Sequence, residues 1–215
     1  FDSNASAIEF QVYNAYDYLA EPGANGTRAL EQKRVIAGLK GAQYVPAALA
    51  ADIKIVFFLT GTVFDLKHVV ETMKQAPAPK RALVFSHVDL LQGIGRDPAG
   101  MRFLAEEVGV DGILTTRSHL IRAAKDAGLF AIQRFFLLDS EAVKTAVNVL
   151  ATSKPDAVEM LPALVLPNIW RRFPLAEMPP VIAGGLVETE AELRNVLAAP
   201  VKAVSTSKQE LWSLS

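Results

Sequence analysis

Eight β-rich apolar runs recur along the chain from Arg34 onward, and this alternation constrains the fold more than any other feature. The runs are Val35–Leu39, Ile53–Leu59, Ala82–Val88, Val110–Leu114, Leu129–Phe136, Asp156–Leu161, Pro180–Ala183 and Val201–Ser205. Their near-continuous Val, Ile, Leu and Phe content suits strands covered on both faces, as parallel strands are. A spacing of roughly 18 to 30 residues leaves room for one helix per strand. Helical signals occupy the gaps at Asp65–Met73, Pro98–Val108, Ser118–Ala127, Ser140–Leu150 and Glu188–Leu197. Asp65, Ser118, Ser140 and Thr189 read as N-caps, and Gly109 and Gly128 sit where glycines close helices. A doubly wound open sheet also alternates in this way, but eight repeats favour a closed (β/α)8 barrel of the TIM type, in the α/β class.

Residues 6–33 stand outside this rhythm. Ile8, Val12 and Tyr16 fall at helical spacing before Glu21-Pro22-Gly23-Ala24-Asn25-Gly26 breaks the pattern. The expected organisation is a helical extension over 6–33 packed on a single barrel domain over 34–215. Residues 1–5, Phe1-Asp2-Ser3-Asn4-Ala5, read as the remnant of a purification tag. With 215 residues, 51% of them hydrophobic, the chain can bury a large core, yet no stretch reaches the length of a membrane span. The start also lacks the order of a signal peptide. Zero cysteines exclude disulfides, thiolate metal sites and cysteine nucleophiles, and they fit a cytoplasmic location. The Asn-X-Ser/Thr matches at Asn4 and Asn25 are then expected to be chance. A net charge of −1 provides no whole-molecule attraction to nucleic acid, so such a partner would need a local basic patch.

The last two strands carry the clearest binding signal. Val181-Ile182-Ala183 runs into Gly184 and Gly185, and the following strand runs into Ser205-Thr206-Ser207. The loops after strands seven and eight of such barrels hold phosphorylated ligands, because unobstructed backbone N–H groups and hydroxyls form an anion cradle there. The plainer alternative is that Gly-Gly ends a strand and Ser-Thr-Ser caps a helix. Other polar residues fall at strand ends: Lys40, Thr60-Gly61-Thr62, His87 with Asp89, Thr115-Thr116-Arg117, Arg134 and Glu159. His87 and Asp89, two apart, point the same way and suit orienting a ligand hydroxyl, acid/base chemistry, or a divalent cation shared with Glu159. A hydrogen-bonded pair satisfying the rim is the alternative. Arg134 and Glu159 on neighbouring strands are placed for a buried ion pair of structural character. His68 and His119 lie on helical faces and are expected to be solvated. Gly93-Ile94-Gly95 with Gly100 is no dinucleotide fingerprint, since the third glycine comes too late. Cations beside aromatics, as nucleic-acid surfaces have, occur at Trp170-Arg171-Arg172-Phe173, with Lys33-Arg34 and Lys80-Arg81 as further basic pairs; a solvated helix end accounts for each equally.

Six ordered blocks resemble the bacterial glycerol-3-phosphate-responsive antiterminator family: Ile55-Val56-Phe57-Phe58-Leu59-Thr60-Gly61, Val84-Phe85-Ser86-His87-Val88-Asp89-Leu90-Leu91-Gln92-Gly93, Asp111-Gly112-Ile113-Leu114-Thr115-Thr116-Arg117, Arg134-Phe135-Phe136-Leu137-Leu138-Asp139-Ser140, Pro155-Asp156-Ala157-Val158-Glu159-Met160-Leu161-Pro162 and Ile182-Ala183-Gly184-Gly185-Leu186. The resemblance runs from about Val35 to Trp212. It implies a regulator without enzymatic activity. Glycerol 3-phosphate would bind the barrel and enable the protein to act on leader mRNA of glycerol-utilisation genes, preventing early termination. The phosphate would rest on Gly184, Gly185, Ser205 and Thr206, the glycerol hydroxyls would meet His87, Asp89 and Glu159, and Lys40 or Arg117 would balance the remaining charge. RNA contacts would fall on Arg171, Arg172, Lys80 and Arg81. No cofactor, metal or membrane partner is expected, and a homo-oligomer is compatible with the sequence. The family's Leu-Pro-Gly stands here as Leu161-Pro162-Ala163, and the first 30 residues have no evident counterpart. The competing class is a phosphosugar isomerase, lyase or phosphodiesterase using the same cradle with His87 and Glu159 as acid and base. Short loops and the lack of a carboxylate and histidine cluster weigh against it. A phosphate-binding barrel that regulates a protein partner is the third class, distinguished by whether the Arg171 and Arg172 region forms one basic face.

Overall fold

The computed structural model describes residues 33–77, 80–174 and 177–214. Eight parallel strands close on themselves: β1 (Val35–Leu39), β2 (Ile55–Phe58), β3 (Leu83–His87), β4 (Gly112–Thr115), β5 (Phe130–Phe136), β6 (Ala157–Leu161), β7 (Val181–Gly184) and β8 (Ala203–Thr206). Each pairs with its neighbours in sequence, and β8 returns to β1 through the register Val35↔Val204. Helices α1 (Val45–Ala50), α2 (Val63–Gln75), α3 (Pro98–Phe103), α4 (Ser118–Asp126), α5 (Ser140–Ser153), α6 (Leu166–Ile169) and α7 (Glu190–Leu197) each follow the strand of the same number. Among the described residues β8 is followed by a 3-10 turn, Gln209–Leu211. The closed (β/α)8 barrel is therefore as expected, and all eight strands lie within one or two residues of the runs read from the sequence.

Period-two alternation divides the strand side chains between two cores. Ile36, Phe57, Phe85, Phe130, Ile132 and Ile182 point into the barrel, whereas Val35, Val56, Val84, Val158 and Val204 face the surrounding helices. The interior is closed by aromatic edges: the Phe57, Phe85 and Phe130 rings follow one another with centroids 5.8 Å apart. Gly112 makes room for them, since a Cβ there would collide with the Phe85 ring and the Phe130 carbonyl.

Three helix starts differ from expectation. Asp65 is the third residue of α2; the N-cap is Thr62, and the two exchange side-chain to backbone hydrogen bonds in a capping box. Asp139 caps α5 in place of Ser140, its carboxylate accepting from Ala142 N at 2.8 Å. Ser118 is the first residue of α4, and Arg117 precedes it with no capping side chain. Thr189 does cap α7, paired with Glu192. Gly109 and Gly128 adopt φ of 76° and 77°, the left-handed geometry expected of helix-closing glycines. The helix expected around Ile8, Val12 and Tyr16, the tag remnant and the Asn4 and Asn25 matches lie outside the described residues.

Candidate functional site

The C-terminal ends of the strands surround a cavity of about 670 Å³. Six of the nine ligand residues read from the sequence line it: Lys40, His87, Glu159, Gly185, Ser205 and Thr206. Gly184, Asp89 and Arg117 do not.

The Gly-Gly and Ser-Thr-Ser segments do meet, but their hydroxyls are engaged in holding the loops together. Ser205 donates to Glu159 Oε1 at 2.6 Å, and Thr206 Oγ1 donates to the Val187 carbonyl at 2.8 Å while accepting from Lys208 N at 3.1 Å. Gly185 and Leu186 both take left-handed conformations, with φ of 80° and 63°. Among the described residues no protein acceptor meets the N–H groups of Gly185, Leu186 or Ser207. These amides, rather than the hydroxyls, are the donors left open at the cavity. Gly184 is needed for another reason. A Cβ at this inward position would lie 2.6 Å from both Glu159 Oε1 and Ser205 Oγ, so the glycine admits a polar layer.

That layer is the floor of the cavity. Arg134 and Glu159, cross-strand partners in the β5/β6 register, form the expected buried ion pair with Nε and Oε2 2.5 Å apart. Arg134 Nη1 lies 3.4 Å from His87 Nε2. A guanidinium only donates, so Nε2 accepts and the imidazole proton sits on Nδ1, which makes no full hydrogen bond beside the Leu59 carbonyl. Burial and then the Arg134 charge push the His87 pKa down to about 4, against the pull of Asp89 and Leu59, so the ring is neutral at pH 7. Asp89 lies 3.7 Å from His87 Nε2 but turns toward the loop after β4. It accepts from Thr115 Oγ1, Thr116 N and Thr116 Oγ1 at 2.7 to 2.9 Å and pairs with Arg117 Nε at 3.4 Å. Burial alone would raise its pKa; the Thr116 and Thr115 hydrogen bonds outweigh burial and hold it below the usual carboxylate value. Asp89 and Arg117 thus shape the rim, Asp89 being held by three nearby donors. Among the described residues no three His, Asp or Glu side chains gather in a group that could hold a metal ion.

Sequence reasoning left out Tyr44, Gly38 and Lys208, which also line the cavity, and it read Arg134 only as a structural partner. Lys208 directly follows the Ser-Thr-Ser run, a signal that was available; Tyr44 reaches the mouth only because the chain turns back after β1. The basic pairs do not form one face. Lys80 and Arg81 precede β3, whereas Arg171 and Arg172 precede β7, half-way round the eight-stranded ring. Arg171 stacks over Trp170 at 5.2 Å, and Arg81 donates to the Ala76 carbonyl. Lys33 and Arg34 likewise engage backbone carbonyls. No helix among the described residues is long and apolar enough to cross a membrane.

Residues 35–212 match the family described as glycerol-3-phosphate responsive antiterminator. The chain belongs to this family. An antiterminator regulatory protein of the glycerol uptake operon from Listeria monocytogenes is 31% identical, with a TM-score of 0.76 over 90% of this chain and 98% of that one. A glycerol uptake operon antiterminator-related protein from Thermotoga maritima is 33% identical, with a TM-score of 0.73 over 85% and 99% of the two chains. Escherichia coli K12 YgcP, an uncharacterised protein, is 32% identical over 186 residues, which cover 86% of this chain and 95% of YgcP. Membership of the antiterminator family is therefore a property of the whole barrel. More distant barrels, such as an orotidine 5'-phosphate decarboxylase from Pyrococcus horikoshii at 11% identity and a TM-score of 0.60, share the fold alone.

Proposed function

We propose that the chain binds glycerol 3-phosphate in the barrel mouth and, so loaded, acts on leader messenger RNA of glycerol-utilisation genes to prevent early termination. The observation that carries this reading is the pairing of family membership with a cradle at the ends of β7 and β8. The phosphate dianion rests on the N–H groups of Gly185, Leu186 and Ser207, with Lys40 and Lys208 supplying positive charge. The glycerol hydroxyls reach toward the floor formed by His87, Arg134 and Glu159, where the guanidinium presents donors. A regulatory role fits this floor better than an enzymatic one. Glu159, the obvious general base, has one oxygen held by Ser205 and the other by Arg134, and His87 is kept neutral by burial and an adjacent cation. The metabolite becomes a signal only through differential affinity for an RNA-competent state.

Calorimetry with glycerol 3-phosphate, with glycerol and inorganic phosphate as controls, tests this directly. Saturable binding that needs both halves of the molecule, without consumption of the ligand, is expected; no binding, or turnover, would sink the reading. Gly185→Val places a β-branched residue at a φ of 80°, with its Cβ 3.3 Å from Leu161, and is expected to weaken binding by more than about tenfold while circular dichroism stays that of the barrel. Undiminished affinity in this variant would remove the phosphate from the cradle.

A further inference from the structure

Five of the six exposed large hydrophobic side chains among the described residues cluster at the mouth end of the barrel: Phe64, Leu90, Phe136, Leu138 and Leu186. Phe64 is 81% exposed and Phe136 50% exposed. Leu186 is held outward at a φ of 63°, a conformation costly for a bulky residue and one that persists where function requires it. Followed round the ring from β1 to β8, the rim reads Lys40, Phe64, Arg117, Phe136, Leu186, Lys208, so that cations and apolar side chains interleave. Lys40 has no acidic partner among the described residues. The rim carboxylates are largely committed to the fold: Asp65 accepts from Thr62 in the capping box of α2, Asp139 caps α5, Asp89 is held by Thr115 and Thr116, and Glu188 lies 3.9 Å from Lys208. The cavity is also large for its effector, because about 670 Å³ is the size of a site for a drug-like molecule, and glycerol 3-phosphate has only about ten non-hydrogen atoms.

We infer that the mouth itself is the RNA-binding surface. A single strand lies across the rim above the bound effector, its bases stacking on Phe64 and Phe136 and its backbone passing Arg117. Single-stranded nucleic acid is recognised by this combination of stacking faces and interspersed cations. The basic pairs before β3 and β7 lie on opposite sides of the ring, and Arg81 donates to the Ala76 carbonyl. The inference rests on the proposed function and adds its mechanism: the effector fills the floor beneath the RNA, so that each ligand stabilises the site for the other.

The test measures binding of a fluorescently labelled leader transcript of glycerol-utilisation messenger RNA by the full chain, with saturating glycerol 3-phosphate. Phe64→Ala and Phe136→Ala are each expected to weaken RNA binding about tenfold, while a double change of Arg171→Ala and Arg172→Ala has no effect. Neither phenylalanine lines the cavity, so both variants are expected to retain wild-type affinity for glycerol 3-phosphate, which also reports that they fold. If the wild-type chain binds effector and RNA but the phenylalanine variants bind RNA equally well, or the arginine variant loses it, the mouth is not the RNA surface and the proposed function stands. If the wild-type chain binds no RNA at all, the proposed function fails and this inference with it.

Discussion

Asp111 and His87 pull the acid side of the stability curve in opposite directions. Asp111 accepts from Val84 N at 2.8 Å, and burial pushes its pKa from 3.8 up to about 6, so the folded state binds the extra proton as pH falls from 7 toward 4. Acidification in that window therefore stabilises the protein through Asp111. His87, depressed from 6.5 to about 4, does the reverse: the unfolded chain binds the extra proton, and stability is lost as pH falls below 6.5. Asp111→Asn keeps an acceptor for Val84 and removes the charge. It is expected to raise stability at pH 7, by an amount on the order of 2 kcal/mol, and to leave the loss due to His87 unopposed between pH 6.5 and 5. Urea unfolding at pH 7 and pH 5 checks both parts; a variant with the wild-type pH slope would show that Asp111 is not protonated near pH 6. At this scale the sequence revealed which residues sit at strand ends, and even the Arg134–Glu159 pair, because alternation and strand adjacency are local. It did not reveal that Ser205 and Thr206 use their hydroxyls on Glu159 and Val187, because those bonds join β8 to β6 and to the loop after β7.

The loop that carries Gly185 and Leu186 runs directly into α7, and the capping box at Thr189 and Glu192 fixes where that helix begins. Thr189 Oγ1 accepts from Glu192 N at 3.2 Å, and the Glu192 carboxylate accepts in turn from the Glu188 and Thr189 amides at 2.9 and 3.0 Å. Thr189→Ala is expected to cost about 1 kcal/mol and to lower the melting temperature by about 2–4 °C, as thermal unfolding would report. A wild-type Tm would mean that packing of Leu193 and Val196, both buried, holds α7 without its cap. Elements were the most legible level of this chain. Strands covered on both faces announce themselves as apolar runs, and the capping motif at Thr189 is contained in four consecutive residues. The misplaced starts of α2 and α5 arose where two capable residues stand close together, such as Asp139 and Ser140, and only the backbone geometry selects between them, whereas α4 begins at Ser118 with no side-chain cap.

At the scale of the whole molecule the barrel has one seam at which the two ends of the sequence meet, between β1 and β8. Arg34 stitches it, donating to the carbonyls of Lys202 at 3.1 Å, Leu197 at 3.2 Å and Val201. Arg34→Ala is expected to lower the melting temperature and to speed hydrogen exchange in β1 and β8 ahead of β4 and β5; uniform exchange across the strands would show that the seam needs no such support. The order of strands round the ring follows from their order in the chain, since short right-handed crossovers place each strand beside its predecessor. The sequence by itself therefore determined the barrel, its eight units and the end at which a ligand would bind, because periodicity, apolar content and chain order are properties of neighbours along the chain. Only the tertiary structure decided which polar groups face the cavity. It sent Asp89 to the rim, made room at Gly184 for the Glu159 and Ser205 side chains, and set Arg134 and His87 in the floor, because closure brings together strands tens of residues apart and each buried donor then takes the acceptor that closure places nearest.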